Sequence, residues 1–213
     1  ELMETTRLLS SDDLKGLMNI SDKLADLNWQ RFRDFRLPFT PSNSRQAVLC
    51  FNGDTYTGVD ASTLSDEDLE YAQNHIGILS GLYGVLRPLD LIQPYRLEMG
   101  TRLKTQRGSN LYAFWGTQIS ETLNAWSANH PEKTLINLAS NEYFKSVHAK
   151  TLNAKVITPV FMEEKDGKSR VISFMAKTAR GMMARYIVKE RIEQPDGLKT
   201  FTSGGYAFQP DKS

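Results

Sequence analysis

Apolar positions recur every three or four residues in two neighbouring stretches near the start of the chain, with polar positions between them. This spacing is typical of amphipathic helices and predicts one over residues 7–17 and another over residues 21–35. The apolar positions are Leu14, Leu17 and Met18 in the first stretch and Leu24, Leu27, Phe32 and Phe35 in the second.

Three further stretches are typical of helices. Residues 65–81 begin at Ser65, a good N-cap, and continue with three acidic residues that suit the positive end of a helix dipole. Residues 109–128 are amphipathic and carry two tryptophans, and a last helix is predicted over residues 176–192.

Short apolar runs between these helices predict strands. Residues 47–51 have the length of a buried strand, and residues 134–140 predict a strand that enters a helix at Ser140. Residues 155–175 predict a hairpin of two apolar strands around an Asp-Gly turn at 166–167. We therefore predict an α/β fold, a mixed sheet with surrounding helices, in a single compact domain over residues 1–213.

The composition is that of an ordinary globular protein, 40% hydrophobic and 24% charged. We find no apolar run of membrane-spanning length and no secretory signal, so we expect a cytoplasmic protein that does not bind membranes. One cysteine excludes a disulfide framework, and three scattered histidines form no metal-binding pair. We expect no metal site, no cofactor and a monomeric state.

The net charge of +1 hides an asymmetry along the chain. Residues 1–70 contain 7 Lys and Arg against 13 Asp and Glu, whereas residues 71–213 contain 19 against 12. This distribution permits a local basic surface that an anionic partner would contact.

The turn between the first two predicted helices has the spacing of a helix-hairpin-helix motif but lacks both of its glycines. Asn19 is the best non-glycine residue for a left-handed position, Ser21 can cap the second helix, and Lys23 adds a cation. Backbone amides at such a turn can bind a nucleic-acid phosphate. The alternative is an ordinary polar turn between two helices, and the spacing alone favours that alternative.

The stretch "LSGLYGVLRPLDLIQPYRLEMG", residues 79–100, combines three Gly, two Pro, two Tyr and two Arg. Arg87 and Arg96 are suited to bidentate contacts with phosphates or carboxylates. No Gly-Lys-Ser/Thr ending follows, so a Walker-type site is weakly supported. We favour a functional surface loop over a rigid connection in which Arg87 pairs with Asp90.

The last predicted helix has a basic side, and residues 168–191 hold seven Lys and Arg against a single acid. Such a face suits a DNA backbone, although a solvated basic face is an equally good interpretation without a second basic element nearby. Arg102, Lys104 and Arg107 are candidates for that second element. The basic side comprises Lys177, Arg180, Arg185, Lys189 and Arg191.

In "NLASNEYFKSV", residues 137–147, a strand enters a helix and places Tyr143 and Lys145 at its end, where ligand sites are common. These two residues support an alternative hypothesis, an enzyme acting on a small anionic, nucleotide-like substrate in a basic cleft with Arg87 or Arg96. No nucleophile pairs with a histidine, and no two carboxylates have a diagnostic spacing, so catalysis is not favoured.

Taken together, "ISDKLA", "YTG", the 79–100 stretch, "NLASNEYFKSV" and "AKTARGMMARYIV" resemble the bacterial YaaA peroxide-stress family, in order over nearly the whole chain. The family's short opening strand and Ser-Pro-Ala-Lys segment are absent here. If that missing lysine lines the family's cleft, we expect this chain to show an incomplete site.

The resemblance implies a cytoplasmic protein of the hydrogen peroxide response, which limits damage to DNA and protein by lowering unincorporated iron. It also implies double-stranded DNA binding through a helix-hairpin-helix element and a basic cleft, without base readout. This favours the phosphate-binding interpretation of the turn. The expected DNA-binding residues are Asn19, Ile20, Ser21, Lys23, Arg87, Arg96, Arg102, Lys145, Lys177, Arg180 and Arg185.

Overall fold

The chain begins with three helices, and the turn between the second and third has the predicted conformation. A computed structural model describes residues 1–212, apart from the side chains of residues 165 and 212. Asn19 is left-handed, with φ 52°, and the Ser21 hydroxyl accepts the Leu24 N–H at 3.4 Å. The predicted helix pair is confirmed, with an additional short helix before it. The helices are α1 (Leu2–Arg7), α2 (Ser11–Met18) and α3 (Asp22–Asp34).

The prediction of a strand over residues 47–51 is wrong. Strand β1 (Arg45–Gln46) is only two residues long, and the chain then turns into the single-turn helix α4 (Ala47–Cys50). The Ala47 N–H donates to the Asp90 carbonyl at 2.8 Å, which anchors the start of this turn. A short apolar run has the same composition in a buried strand and in a buried helical turn, so periodicity does not separate the two.

The predicted helix over residues 65–81 is shorter in the structure. Helix α6 (Asp66–His75) begins in a capping box made by Ser65 and Asp68, as its sequence indicates. It ends at His75 because the following residues pair in a hairpin of strands β2 (Ile78–Ser80) and β3 (Gly84–Leu86). Before α6 lies helix α5 (Asp54–Val59), and after the hairpin strand β4 (Leu91–Ile92) pairs antiparallel with β1.

The predicted helix over residues 109–128 is two helices, α7 (Leu111–Trp115) and α8 (Gln118–Trp126). The break falls at Gly116, whose backbone has φ 51° and ψ −121°. This conformation is incompatible with a continuing helix and is accessible to glycine.

The strand over residues 134–140 and the helix that follows it are confirmed as β5 (Thr134–Ile136) and α9 (Asn141–Phe144), which Ser140 caps. The predicted hairpin over residues 155–175 is partly wrong. Its first strand, β6 (Lys155–Ile157), pairs in parallel with β5, and the hairpin itself is formed by the short polar strands β7 (Glu163–Lys165) and β8 (Lys168–Arg170). The Asp-Gly turn is confirmed, with positive φ at both residues.

The last helix, α10 (Ser173–Lys189), crosses α5 at very short range. A Cβ atom at Gly181 would lie 1.8 Å from the Thr55 carbonyl oxygen, and one at Gly58 would lie 2.1 Å from the Thr178 carbonyl oxygen. The two glycines therefore allow the two backbones to touch.

The mixed α/β class is confirmed, and the strands of residues 1–212 pair as four separate two-stranded sheets rather than as one sheet. No helix in this part of the chain is long and apolar enough to cross a membrane. Buried apolar side chains form three clusters, and Tyr83 and Tyr95 pack against the first two of them. The 79–100 segment thus crosses the centre of the molecule and positions its aromatic side chains there.

Candidate functional site

Four tyrosines from three separate segments of the chain meet at the centre of the molecule. Tyr83 and Tyr95 contact edge to face with ring centroids 5.4 Å apart, and Phe51 lies between Tyr95, at 6.1 Å, and Tyr56, at 5.1 Å. Tyr143 of α9 lies close enough for its phenol to raise the pKa values of both Tyr56 and Tyr95. We call Tyr56, Tyr83, Tyr95 and Tyr143 the tyrosine cluster.

The cluster brings together three of the sequence motifs: "YTG" on α5, the 79–100 segment, and "NLASNEYFKSV". The fourth, "AKTARGMMARYIV", lies on α10, which crosses α5 two residues after Tyr56, at Gly58. Four motifs far apart in sequence are therefore neighbours in space, and we take this junction as a candidate functional site.

The phenols of the cluster stay protonated at neutral pH. Burial, assisted by the nearby carboxylates of Glu142 and Glu98, raises the pKa of Tyr143 to about 12. Burial also raises the pKa of Tyr95, whose hydroxyl hydrogen bonds with that of Ser80 at 2.5 Å. These groups are consequently hydrogen-bonding groups rather than bases.

Arg96 and Glu98 lie beside Tyr143. Arg96 Nη2 donates to Glu98 Oε1 at 2.6 Å, and both side chains remain more than 40% exposed, at 42% and 46%. The Arg96 Nε atom is buried, and no atom of the described residues accepts a hydrogen bond from it. A buried donor without an acceptor is costly in a folded protein, so this arginine is held at some cost in stability.

Lys145 lies at the end of α9, on the surface next to this site. Its Nζ atom is 5.0 Å from the centre of the Tyr112 ring. The Tyr112 hydroxyl donates to the Glu142 carbonyl at 2.9 Å, and the Glu142 carboxylate accepts the Gly100 N–H at 2.8 Å. The first bond joins α7 to α9, and the second holds Gly100 against α9.

The segment after Gly100 carries Arg102 and Lys104, both exposed and within four residues of the Gly100 amide that binds Glu142, three residues before Lys145. No carboxylate within residues 1–212 forms an ion pair with any of the three. We call Arg102, Lys104 and Lys145 the basic patch.

The predicted basic face of α10 is largely occupied by contacts within the protein. Arg185 donates to the carbonyls of Val59 and Asp60, at 3.0 and 2.9 Å, and so caps the C-terminal end of α5. The Arg180 Nε donates to the Ala176 carbonyl at 3.2 Å, and burial lowers the pKa of this guanidinium. Lys177 is exposed to solvent.

The two remaining cations of that face bind Asp68, whose side chain is only 5% exposed. Lys189 Nζ lies 2.9 Å from one carboxylate oxygen and Arg191 Nη2 lies 3.0 Å from the other. The hydrogen bond from Lys189 is the largest cause that holds the pKa of Asp68 well below its usual range. These cations stabilise the junction of α6 and α10.

The turn between α2 and α3 satisfies the backbone amides at the end of α2. The Asn19 and Ile20 amides both donate to the Lys15 carbonyl, as in a helix C-cap motif. Asp22, the first residue of α3, binds Lys15 Nζ at 2.6 Å. The Asp22 and Lys23 amides of the first helical turn have no intrahelical acceptor, and Ser21 and Lys23 are exposed. The geometry is that of a capped helical corner, and a helix-hairpin-helix element is not confirmed.

Arg87 lies apart from the tyrosine cluster and the basic patch. Its guanidinium is over the indole ring of Trp126, 4.7 Å from the centre of that ring. The predicted site residues therefore fall in different places. Arg96 and Tyr143 lie at the tyrosine cluster, Arg102 and Lys145 in the basic patch beside it, and Arg87 at a separate cavity. Sequence reasoning did not single out Tyr56, Tyr95 or Glu98, although two quoted motifs, "YTG" and the 79–100 stretch, contain them.

Metal-binding groups of three or more His, Cys, Asp or Glu side chains are not found within residues 1–212.

Comparison with known proteins finds close relatives over the whole chain. The family model described as "Peroxide stress protein YaaA" matches residues 1–212. A UPF0246 protein of Burkholderia mallei (strain SAVP1) is 56% identical over 214 residues, which cover 100% of this chain and 82% of that protein. A UPF0246 protein of Burkholderia pseudomallei (strain 1106a) matches with the same identity and coverage.

Proposed function

We propose that this chain, which belongs to the peroxide stress protein YaaA family, binds double-stranded DNA through its basic patch during the bacterial response to peroxide. The family supports the role in peroxide stress. The basic patch supports the DNA contact, because its three cations are exposed and bind no carboxylate of the described chain.

A sequence-independent DNA contact needs free cations at the surface and no base-reading element. Arg102, Lys104 and Lys145 meet the first condition, whereas Arg185 does not, because it caps α5. Lys177 adds an exposed cation on α10. DNA binding at this surface is electrostatic, so it weakens as salt is raised.

The capped corner contributes a second, weaker contact in this proposal. The amides of Asp22 and Lys23 and the exposed Ser21 and Lys23 side chains are its phosphate-binding groups. The negative charge of Asp22 at the same helix end, bound to Lys15 Nζ at 2.6 Å, opposes the approach of a phosphate. Lys23→Glu is therefore expected to weaken DNA binding less than changes in the basic patch.

The test compares two variants with the same change of charge. Arg102→Glu/Lys104→Glu alters the basic patch, and Lys168→Glu/Arg170→Glu alters exposed positions on the β7–β8 hairpin. We expect fluorescence anisotropy with a duplex oligonucleotide at low salt to show at least a tenfold weaker affinity for the first variant and a much smaller change for the second. Equal losses would show that net charge alone is responsible, and no binding by the parent chain would refute the proposal.

The effect on unincorporated iron is indirect in this proposal, through shielding of DNA rather than storage of the metal. Iron(II) sites in proteins are usually built from histidine and carboxylate ligands or from cysteines in clusters. An anaerobic titration with iron(II) is expected to show no tight stoichiometric binding. A saturable site of micromolar affinity would refute the indirect mechanism and leave DNA binding to be judged separately.

A second candidate function is an enzyme or binding protein for a small anionic, nucleotide-like molecule at the tyrosine cluster. The buried Arg96 Nε without an acceptor favours it, together with the protonated Tyr143 hydroxyl nearby. We expect nucleotides that bind here to raise the thermal midpoint of the parent chain but not of Arg96→Gln. Arg102→Glu/Lys104→Glu should retain that response, which separates the two functions.

A further inference from the structure

A cavity of about 420 Å3 lies where α6 and α8 end, apart from the tyrosine cluster. Its polar lining consists of one guanidinium, two imidazoles and two amide side chains, and its apolar lining of the Trp126 indole with Ala125 and Pro131. Among the described residues that line it there is no Asp or Glu. The lining groups that carry hydrogen-bonding or aromatic side chains are Asn74, His75, Arg87, Trp126, Asn129 and His130.

The two histidines are held in defined positions. The His75 ring stacks on Tyr71 with centroids 3.8 Å apart, and its Nδ1 lies 2.8 Å from the Tyr71 carbonyl oxygen. Because a carbonyl only accepts hydrogen bonds, Nδ1 carries the hydrogen. Nε2 then accepts a hydrogen bond from a protonated oxygen of a ligand or, in the imidazolium form, donates one to an oxyanion. The His130 ring meets the His75 ring edge to face at 4.9 Å.

Arg87 supplies a fixed positive charge to the same cavity. Its guanidinium lies 4.7 Å from the centre of the Trp126 ring, and its main-chain N–H donates to the Asp90 carboxylate at 2.7 Å. The guanidinium forms no ion pair within residues 1–212. Stacking on an aromatic face orients a guanidinium while its N–H edge stays available for bidentate contact with an oxyanion.

We propose that this cavity binds a tetrahedral oxyanion with the chemistry of a phosphate monoester. A planar guanidinium, two imidazoles and two amide groups converge there, and the absence of lining carboxylates removes the usual competitor for them. The volume exceeds that of phosphate alone, so the ligand is either free phosphate or the terminal phosphate of a larger molecule such as a nucleic acid end.

Histidine NMR tests the proposal directly, because the chain has only three histidines. Titration with inorganic phosphate should shift the ring signals of His75 and His130 saturably. His148, whose Nδ1 lies 3.0 Å from the Thr151 hydroxyl, is the internal reference and should not follow the same curve. Parallel shifts of all three histidines, or no saturation, would overturn the proposal.

Two variants separate binding at this cavity from a general effect of salt. Arg87→Gln removes the fixed charge, and Asn129→Asp adds a carboxylate while leaving the stacked arginine in place. Both variants should weaken the phosphate response of His75 at least tenfold. Lys168→Gln, on the β7–β8 hairpin, should leave that response unchanged. An unchanged response in both cavity variants would overturn the proposal.

The source of the phosphate is resolved with oligonucleotides. A 5′-phosphorylated duplex that shifts His75 more strongly than its unphosphorylated counterpart identifies a nucleic acid end as the ligand. Equal shifts, with inorganic phosphate still saturating, identify a free or small-molecule phosphate. Neither Arg87→Gln nor Asn129→Asp alters the basic patch. The affinity of the basic patch for DNA is therefore measured in the same samples and judged independently of phosphate binding in the cavity.

Discussion

Replacement of Gly181 by alanine should destabilise the protein, although alanine is the better helix former. The added Cβ atom would lie 1.8 Å from the Thr55 carbonyl oxygen and 2.9 Å from the Cα atom of Gly58. A favourable carbon–oxygen contact is about 3.3 Å, so α5 and α10 would have to separate by about 1.5 Å. Both obstructing atoms belong to backbone and do not yield by a change of rotamer.

The magnitude follows from two opposing effects. Overpacking of a filled interior costs about 1–3 kcal/mol, and a backbone obstacle places Gly181→Ala near the upper end, at about 3 kcal/mol. The gain in helix propensity returns about 1 kcal/mol. The expected net loss in the free energy of unfolding is therefore about 2 kcal/mol. Because Tyr56 lies on α5, separation of the helices also displaces one member of the tyrosine cluster.

Urea denaturation followed by tryptophan fluorescence measures this loss, and Gly16→Ala is the matched control. Gly16 also lies within a helix, but nothing lies within 4 Å of the position of its added Cβ. The control should therefore gain about 0.5–1 kcal/mol from propensity alone. A Gly181→Ala variant at least as stable as the parent chain would refute the close crossing of α5 and α10.

Three further predictions concern individual helix ends and the buried carboxylate. Ser65→Ala removes a capping box and should cost about 1 kcal/mol in urea denaturation, whereas Ser65→Asp should retain most of it. The folded-state pKa of Asp68 is lowered by Lys189 and Arg191, so its stabilisation is present above about pH 4 and is lost as the pH falls through the folded value. Asp68→Asn should therefore destabilise the protein at neutral pH and flatten its acid stability profile, and an unchanged profile would contradict the buried ion pairs. Asn19→Ala should cost about 1 kcal/mol at its left-handed position, and Asn19→Gly should cost nothing, as measured by thermal denaturation.

Local signals in the sequence predict the helix ends and tight turns well. Ser21, Ser65 and Ser140 all cap helices, and Asn19 adopts the left-handed conformation expected of it. Each of these features depends on a few consecutive residues, and so the sequence contains the cause of each. The left-handed Asp-Gly turn at residues 166–167 is predictable for the same reason.

Features that depend on distant contacts are not predictable in this way. Residues 47–51 look like a strand, but bonds to carbonyls in the 88–90 segment start a helical turn there. A helical wheel places Arg185 and Lys189 on a solvated face, because it contains neither the end of α5 nor Asp68. Fewer cations are therefore free at the surface than the sequence suggests, because some of them bind carbonyls or carboxylates of the protein itself.

The residues of the candidate site also divide into those that the sequence predicts and those that only contacts between distant segments reveal. The unusual composition of the 79–100 stretch and of "NLASNEYFKSV" identifies segments that meet in the structure, and Tyr143 and Arg96 are common to both descriptions. Tyr56 and Tyr95 become candidates only through their ring contacts with Phe51. Arg87 belongs to the same sequence motif as Arg96 but lies at the cavity beside Trp126, because it directly follows β3 whereas Arg96 comes after β4.

The salt dependence of duplex DNA affinity tests the central proposal most directly. Each phosphate neutralised contributes about −0.9 to the slope of log K against log salt concentration, so a contact made by Arg102, Lys104 and Lys145 predicts a slope of about −2.7 from these three cations. The triple variant with glutamine at these positions should lose affinity, and its slope should become less steep by about that amount. A parent chain whose binding is independent of salt, or a triple variant with an unchanged slope, would contradict the assignment of the basic patch as the DNA-binding surface.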